Sequence, residues 1–450
     1  MGRSKDLAKN TAILAFGKIC TQSIGFFMLP LYTSLLDTAE YGLFDLLVTY
    51  AALLLPLVNW QLDQGLFRFM LDVRDQIDKQ THLFSTVFFL IIYPFLTLEH
   101  AEFLLYYVIL HIYTAMFLQF ARGLGKTSKY AVASFISALA TVLLNVLALA
   151  VFKLGLKGLF IATISAQVLT IFYLIMATKC WIFFSIKAVK FKLFNEVRKY
   201  SIPLIPNNLA WWIVNSSDRM VISHFIGISA NGIFTVASKF SNVFISFYNV
   251  VNLSWTESVS LHINDPDRDS FLSEMMTTLF KLFASACFLI VAVMPFIFPI
   301  LVNEKYIDGY NHVLILMYAM LFRVLVGMYS CIYIATKQSN KVAITSIAAA
   351  VINLAVDLLC INKIGLYAAS VSSLIAFFAM FIISYFAVNK MKINHQVVVS
   401  SILIGSLLSL AYYSNQKTFQ IVVFIITILY AVFVNMDLIK IVLKKLKCYR

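Results

Sequence analysis

Charged residues are scarce in this sequence. They make up 12% of its 450 residues, about half of the roughly 25% that is usual in soluble globular proteins. Hydrophobic residues make up 61% of the chain, and the mean hydropathy is +0.87. A chain with so few charges over this length is solvated mainly by lipid. The composition therefore predicts an integral membrane protein.

Metal-binding and catalytic patterns are also missing. The 6 cysteines have no close spacing and mostly lie in apolar segments, which favours buried free thiols over disulfides or a metal site. The 7 histidines form no metal-binding pair, and no nucleophile constellation is present. The segment "RGLGKTS" resembles a phosphate loop, but Phe120 replaces the first glycine of that motif and no strand precedes it. We expect no cofactor, no ATP site and no enzyme.

Long apolar runs dominate what is present, and many exceed the roughly 20 residues that cross a bilayer core. They predict an all-α protein, because only helices or closed barrels satisfy their backbone in hydrocarbon. The first run is too long for a signal-peptide core and is expected to remain in the mature protein. The predicted spans number fourteen: 10–35, 39–62, 81–98, 102–121, 129–152, 158–180, 199–226, 230–256, 275–302, 309–335, 340–361, 365–388, 395–413 and 418–439.

The net charge of +14 comes from cations in short connections between these runs. With fourteen spans, 25 lysines and arginines fall on one side of the membrane and 5 on the other. This asymmetry follows the positive-inside rule and places both termini in the cytoplasm. It explains the charge without nucleic acid, which is not an expected partner.

The chain divides into two related halves. "TAEYGLFDLL" at 38–47 aligns with "ISANGIFTVA" at 228–237, an offset of 190, and Asn145 and Gly158 lie near Asn353 and Gly365 in a second match. Six spans in each repeat predict a parallel pseudo-twofold arrangement. The predicted parts are an N-terminal lobe at 1–180, an amphipathic linker in the cytoplasmic headgroup layer at 181–198, a C-terminal lobe at 199–390, and two further helices with a basic tail at 391–450.

Polar residues form a stripe on the same helix in both repeats. In the second span they are Asp45, Thr49, Asn59 and Asp63, with Pro56 on the same face; in the eighth they are Thr235, Lys239, Asn242, Ser246, Asn249 and Thr256. Single polar residues usually join helices by hydrogen bonds. A stripe of this length, containing a lysine and repeated in both halves, indicates the lining of a water-filled cavity.

The seventh span carries charge in its middle. Asn208, Trp212, Asn215 and Arg219 share one helical face, and Asp218 lies beside Arg219. Charged residues inside the membrane nearly always face a protein interior or a cavity. A local pair between Asp218 and Arg219 is the structural alternative, but neighbours on a helix do not face each other. We expect Arg219 to face the cavity and Asp218 to restrain it.

Further cations add to the predicted lining. Lys18 and Arg323 lie within spans, and Arg68 lies at the predicted cytoplasmic mouth, as does Glu257. A cavity with this basic bias favours an anionic passenger. The acidic candidates for binding a coupling ion, H⁺ or Na⁺, are Asp218, Asp45, Asp63 and Glu257.

The sequence resembles bacterial polysaccharide and O-antigen flippases. The residues that carry this resemblance are "YSIPLIPNNLAWWIVNSSDRMVISHFIG" at 200–227 and "ANGIFTVASKFSNV" at 230–243, with weaker matches at 36–50, 62–70 and 334–344. The resemblance implies the superfamily of multidrug and toxin extrusion transporters and the lipid II flippase. It also implies fourteen helices, alternating access and transport of undecaprenyl-diphosphate-linked oligosaccharides across the bacterial cytoplasmic membrane. Arg219 and Lys239 occupy matching positions, and a polymerase and glycosyltransferases are implied partners.

Two other functions stay open at this point. A drug or cation antiporter of the same superfamily would have an acidic cavity, which Lys18, Arg219 and Lys239 disfavour. A membrane glycosyltransferase or polymerase would need a large outer loop with acidic groups, and the predicted outer loops are short.

Overall fold

The computed structural model describes residues 24–73, 76–92, 103–388, 393–414 and 416–440. These residues form helices and connections and contain no strand. Nine helical segments among them are long and apolar enough to cross a membrane. In chain order the helices are α1 (Leu29–Leu35), α2 (Thr38–Val58), α3 (Leu62–Asp72), α4 (Ile77–Ile92), α5 (Phe103–Gly123), α6 (Thr127–Val146), α7 (Gly155–Thr178), α8 (Phe191–Ser201), α9 (Ile205–Phe225), α10 (Ile228–His262), α11 (Arg268–Leu301), α12 (Tyr310–Ala335), α13 (Ser339–Ile364), α14 (Tyr367–Ala387), α15 (His395–Tyr412) and α16 (Lys417–Val434).

The all-α membrane fold predicted from hydropathy is confirmed. Each predicted span from 39–62 onward overlaps one of these helices over its described residues, because a long apolar run must satisfy its own backbone, and residues 93–98 of the span 81–98 lie outside the described residues. The first predicted span, 10–35, lies largely outside the described residues. The total of fourteen spans stays a prediction.

The chain forms two compact units, Met1–Met220 and Val221–Arg450. The division falls inside α9, later than the predicted start of the second lobe at residue 199. Within the first unit, α5 packs against α2 and α7, and α7 packs against α6. Within the second unit, α12 packs against α10 and α14, and α14 packs against α13. The same pairs of spans therefore pack in both units, which supports the internal repeat.

The boundaries of one repeated segment agree closely. Helices α2 and α3 together run from Thr38 to Asp72, and the single helix α10 runs from Ile228 to His262. The two segments start 190 residues apart and also end 190 residues apart. In the first unit this stretch is broken after Val58, whereas α10 runs through without interruption. The expectation of one continuous polar face from Asp45 to Asp63 is therefore wrong for the first unit.

Two residues in the left-handed region make the break. Trp60 has φ 50° and Gln61 has φ 55°, a conformation that side chains other than glycine adopt at a cost. The backbone N–H of Asn59 still bonds to the carbonyl of Leu55, whereas that of Leu62 bonds only to Asn59. The helical hydrogen-bond ladder therefore stops at this point and restarts with α3.

The predicted linker packs against helices of the first unit. Its helix α8 contacts α3 and α4, and the Trp60 ring in the break stacks on Phe194 of α8 with centroids 6.4 Å apart. Trp181, Phe184 and Phe191 are exposed in the same segment, which also carries lysines. Exposed aromatic and basic side chains are typical of a segment in the headgroup layer.

The two repeated asparagines are both buried and hydrogen-bonded within their own units. Asn145 Nδ2 donates to the Tyr32 hydroxyl at 2.8 Å, and Asn353 Nδ2 donates to Ser372 Oγ at 3.2 Å. Such bonds join helices where water is absent.

We expect Tyr32→Phe to lower the stability of the folded protein by about 1 kcal/mol, because the Asn145 amide loses its acceptor in an apolar site. Thermal unfolding in detergent measures this as a lower Tm. Tyr106→Phe, at an exposed tyrosine, is the control and should leave the Tm unchanged. Equal Tm values for the Tyr32 variant and the wild type would contradict a structural role for this bond.

Candidate functional site

An ion pair joins α2 and α9 within the first unit. Arg219 Nε donates to Asp45 Oδ2 at 2.7 Å, and the two side chains are only 11% and 13% exposed. These residues are 174 positions apart in the sequence. The sequence left open a local pair between Arg219 and Asp218, but the structure places the ion-pair partner of Arg219 on another helix. A mid-helix cation is therefore held in a defined position.

Neighbouring contacts fix the same helix pair. Arg219 Nη1 also donates to the carbonyl of Asn215 at 3.1 Å, which orients the guanidinium along α9. Two turns earlier, Trp212 Nε1 donates to the backbone carbonyl of Thr49 on α2 at 3.2 Å. The predicted polar faces of α2 and α9 thus meet through long side chains. Asp218 is buried on the same helix.

A second polar cluster lies at the break between α2 and α3. Asn59 Nδ2 donates to Asp63 Oδ1 at 2.7 Å, and Gln64 Nε2 donates to Asp63 Oδ2 at 2.8 Å. Asn59 and Asp63 are each 6% exposed. Burial raises the pKa of the Asp63 carboxyl, and the hydrogen bonds from Gln64 and Asn59 oppose that shift. The sequence analysis did not single out Gln64, although it directly follows Asp63.

Arg68 lies two turns into α3 and is exposed. Its Nη1 donates to Asp72 Oδ1 at 2.6 Å, one helical turn further on. The hydrogen bond and charge of Asp72 raise the pKa of the Arg68 guanidinium further above its ordinary value. Arg68 is therefore paired within α3, away from the Asp45–Arg219 ion pair.

The second unit carries the other polar stripe on α10. Lys239 and Asn249 are half-buried, Asn242 is exposed, and Ser246 Oγ donates to the carbonyl of Asn242 at 2.6 Å. Glu257 is exposed near the end of the helix. These positions match the sequence pattern in spacing, and their role as a cavity lining stays a prediction.

Arg323 lies on α12 of the second unit, among sulfur and aromatic groups. Its Nη1 is 3.9 Å from Met320 Sδ, and its guanidinium lies 5.7 Å from the centre of the Phe377 ring. A cation over an aromatic face is stabilised by the ring quadrupole. Lys18, the remaining predicted cation, lies outside the described residues.

An apolar cavity of about 660 Å³ lies within the second unit, and sequence reasoning did not anticipate it. Its lining comes mainly from α12, α14 and α15 and includes Phe322, Tyr329, Phe381, Tyr385, Ile402 and Gly405. No sequence signal identified it, because aromatic residues are common throughout this chain.

Solved transporter structures share this fold. An inward-facing multidrug resistance MATE family transporter of the MOP superfamily superimposes with a TM-score of 0.64 at 12% identity, covering 83% of this chain and 98% of that one. The lipid II flippase MurJ in an inward closed conformation gives a TM-score of 0.58 at 14% identity, covering 97% and 99%. The chain therefore has the multi-pass membrane fold of the MOP-superfamily transporters.

A comparison of the sequence with known protein families shows the family to which the chain belongs. The family described as "Polysaccharide biosynthesis protein" matches residues 7–255, which is more than half of the chain. The chain belongs to this family, and the resemblance drawn from its motifs is confirmed. A comparison with curated protein sequences finds no match.

Proposed function

We propose that this protein is a flippase for undecaprenyl-diphosphate-linked oligosaccharides and moves them from the cytoplasmic to the outer leaflet of the bacterial cytoplasmic membrane. The glycan would serve a surface polysaccharide such as O-antigen, capsule or exopolysaccharide. The observation that carries the proposal is the buried cation Arg219, held by Asp45 on the polar face of a membrane-spanning helix. Membership in the polysaccharide biosynthesis family and the transporter fold support it.

The charge of the substrate explains the need for such a cation. A diphosphate cannot cross hydrocarbon unless its charge is offset, and a fixed guanidinium offers planar donors that suit phosphate oxygens. Lys239 in the second unit and Arg323 are the further cations proposed to contact the substrate, together with Lys18 and Arg68. Asn59, Asn215, Asn242 and Asn249 would hydrogen-bond its sugars or phosphates. Outward movement of an anion is favoured by about 2.3 kcal/mol per charge at a potential of 100 mV, negative inside.

The lipid tail would remain in an apolar environment. The cavity of about 660 Å³ in the second unit falls in the size range of small-molecule sites and could hold a stretch of hydrocarbon chain. Alternating access would then move only the polar headgroup through a polar route. Transport rather than enzymatic chemistry fits the family and the fold.

Ion coupling is the proposed energy source, with H⁺ or Na⁺ as the ion. Asp45, Asp63, Asp218 and Glu257 are the acidic candidates. Asp45 already holds Arg219, so release of this pair by protonation or by a substrate phosphate would link binding to helix movement. A polymerase and glycosyltransferases would act before and after transport.

A reconstituted assay tests the function directly. In proteoliposomes containing a fluorescent, short-chain polyprenyl-diphosphate sugar, we expect the protein to raise the fraction of sugar accessible from the opposite leaflet. A polyprenyl-monophosphate sugar should move more slowly, because it engages fewer cationic donors. Efflux of a cationic dye from the same vesicles tests the antiporter alternative. Dye efflux without lipid movement would replace the proposal by that alternative.

A further inference from the structure

The break between α2 and α3 contains a carboxylate with no positive counter-charge among the described residues. Both oxygens of Asp63 accept amide hydrogens, from Asn59 and from Gln64, and these bonds favour the ionised carboxylate against the burial that opposes it. No cationic side chain in the described ranges forms a salt bridge with Asp63. A buried charge supported only by neutral groups is unfavourable unless another charge offsets it.

A buried amide oxygen in the break has no hydrogen-bond partner within the described part of the chain. Asn59 Oδ1 has no hydrogen-bond partner among the residues that the structure describes, although Asn59 is only 6% exposed and its own Nδ2 donates to Asp63. Buried amide oxygens are nearly always bonded to a donor or an ion. The unbonded amide oxygen belongs to the same side chain that donates to the carboxylate, so it lies close to the buried acid that lacks a counter-charge among the described residues.

The backbone adds to the negative potential at this place. The last carbonyl groups of α2 precede the break, where the Leu55 carbonyl accepts from the N–H of Asn59 and the Asn59 carbonyl accepts from that of Leu62, and a helix C-terminus carries a partial negative charge. Interrupted helices in membrane transporters use such carbonyl groups to coordinate small cations. Trp60 and Gln61 keep the interruption open in a left-handed conformation that is unfavourable for both side chains.

From these observations we infer that the α2–α3 break is a binding site for a small monovalent cation such as Na⁺, formed by Asp63, Asn59 and carbonyl groups at the end of α2. One carboxylate balances one positive charge, which favours a monovalent over a divalent ion. Hard oxygen donors suit such a cation. The corresponding stretch of the second unit is an unbroken helix, so the site belongs to the first unit alone.

Cation binding at this site would act on the linker between the repeats. Trp60 in the break stacks on Phe194 of α8, and α8 also packs on α3. A cation that draws the end of α2 toward Asp63 would set the angle between α2 and α3 and, with it, the position of α8. The inference deepens the proposed function by assigning a place to the coupling ion. Binding itself needs no lipid-linked substrate, so the two proposals fail separately.

The test measures cation binding to the purified full chain in detergent. NaCl is exchanged for choline chloride at constant ionic strength, and tryptophan fluorescence and Tm are followed. We expect a saturable Na⁺ response in the wild type that KCl reproduces only at higher concentration. Asp63→Asn should weaken the apparent affinity at least ten-fold, and Asn59→Ala should weaken it to a smaller extent. Trp60→Phe should remove the fluorescence signal but keep the Tm shift.

The matched control is Asp72→Asn, which removes an exposed carboxylate from the same helix and should leave the Na⁺ response unchanged. A wild-type protein without a saturable Na⁺ response overturns the inference, even if the variants do not fold. A response to pH alone, lost in Asp63→Asn, would assign a proton to Asp63 and also overturn it. An equal loss in Asp72→Asn would show a general effect of charge rather than a site.

Discussion

Replacing Arg219 with alanine should reduce surface polysaccharide export by at least about 30-fold in a strain that lacks its own flippase. Removing one partner of a buried, hydrogen-bonded charge pair costs roughly 2–5 kcal/mol, and 1.4 kcal/mol corresponds to a factor of ten. The alanine variant loses the cation proposed to meet the diphosphate and leaves Asp45 buried without its partner. Quantified cell-surface polysaccharide, normalised to the amount of protein in the membrane, measures the effect.

Two further variants separate a transport role from a structural one. Arg219→Lys keeps the charge but not the planar donors, so we expect partial export. Asp45→Asn keeps the cation and removes its ion-pair partner, so we expect export closer to the wild type than in the alanine variant. Combining Asp45→Asn with Arg219→Gln removes both charges together. If the pair is only structural, this double variant will recover the stability and the export that Arg219→Ala loses.

Normal export by Arg219→Ala at normal membrane abundance would contradict the cation mechanism. If every variant is present at low abundance in the membrane, the loss of export reflects a folding defect instead, because a broken buried pair destabilises the protein. Measured abundance decides between these results. Arg219 would then count as a structural partner of Asp45 rather than as a contact of the substrate.

The membrane helices were predictable because the hydropathy of a segment and the backbone hydrogen bonds of a helix depend only on residues that are close together in the sequence. The run at 230–256 predicts α10, and the alignment of 38–47 with 228–237 predicts a repeat whose two copies later show the same length. Both signals are contained within short windows of sequence. The polar faces of α2 and α9 were visible for the same reason, since spacing along a helix fixes which residues share a face.

The partners of those polar residues were not predictable. The ion pair between Arg219 and Asp45 connects helices far apart in the sequence, and spacing within one helix carries no information about the other. The break at Trp60 and Gln61 was hidden as well, because neither residue favours a left-handed backbone. The break is accompanied by a tertiary contact that no local pattern reveals, the stacking of Trp60 on Phe194 of the linker helix.

Replacing Gly65 should destabilise the protein strongly, because helix α8 packs directly on its Cα atom. A Cβ atom at this position would overlap Ser201 Oγ and lie 2.6 Å from Val197 Cγ1. Gly65→Ala should therefore lower the stability by about 1–3 kcal/mol, the usual cost of overpacking, and Gly65→Leu by more. Thermal unfolding in detergent and protein abundance in the membrane measure the loss. Gly405→Ala is the matched control, because its new Cβ would meet only ordinary contacts at 3.6 Å or more.

A compensating variant makes this prediction specific to the contact between α3 and α8. Adding Val197→Ala and Ser201→Ala to Gly65→Ala removes the two atoms that would clash, so most of the lost Tm should return. Rescue would show that the linker must lie against α3 for the fold to be stable. Full stability of Gly65→Ala alone would show that α8 can move away at little cost. The linker between the repeats would then be a mobile element rather than a fixed support of the α2–α3 break.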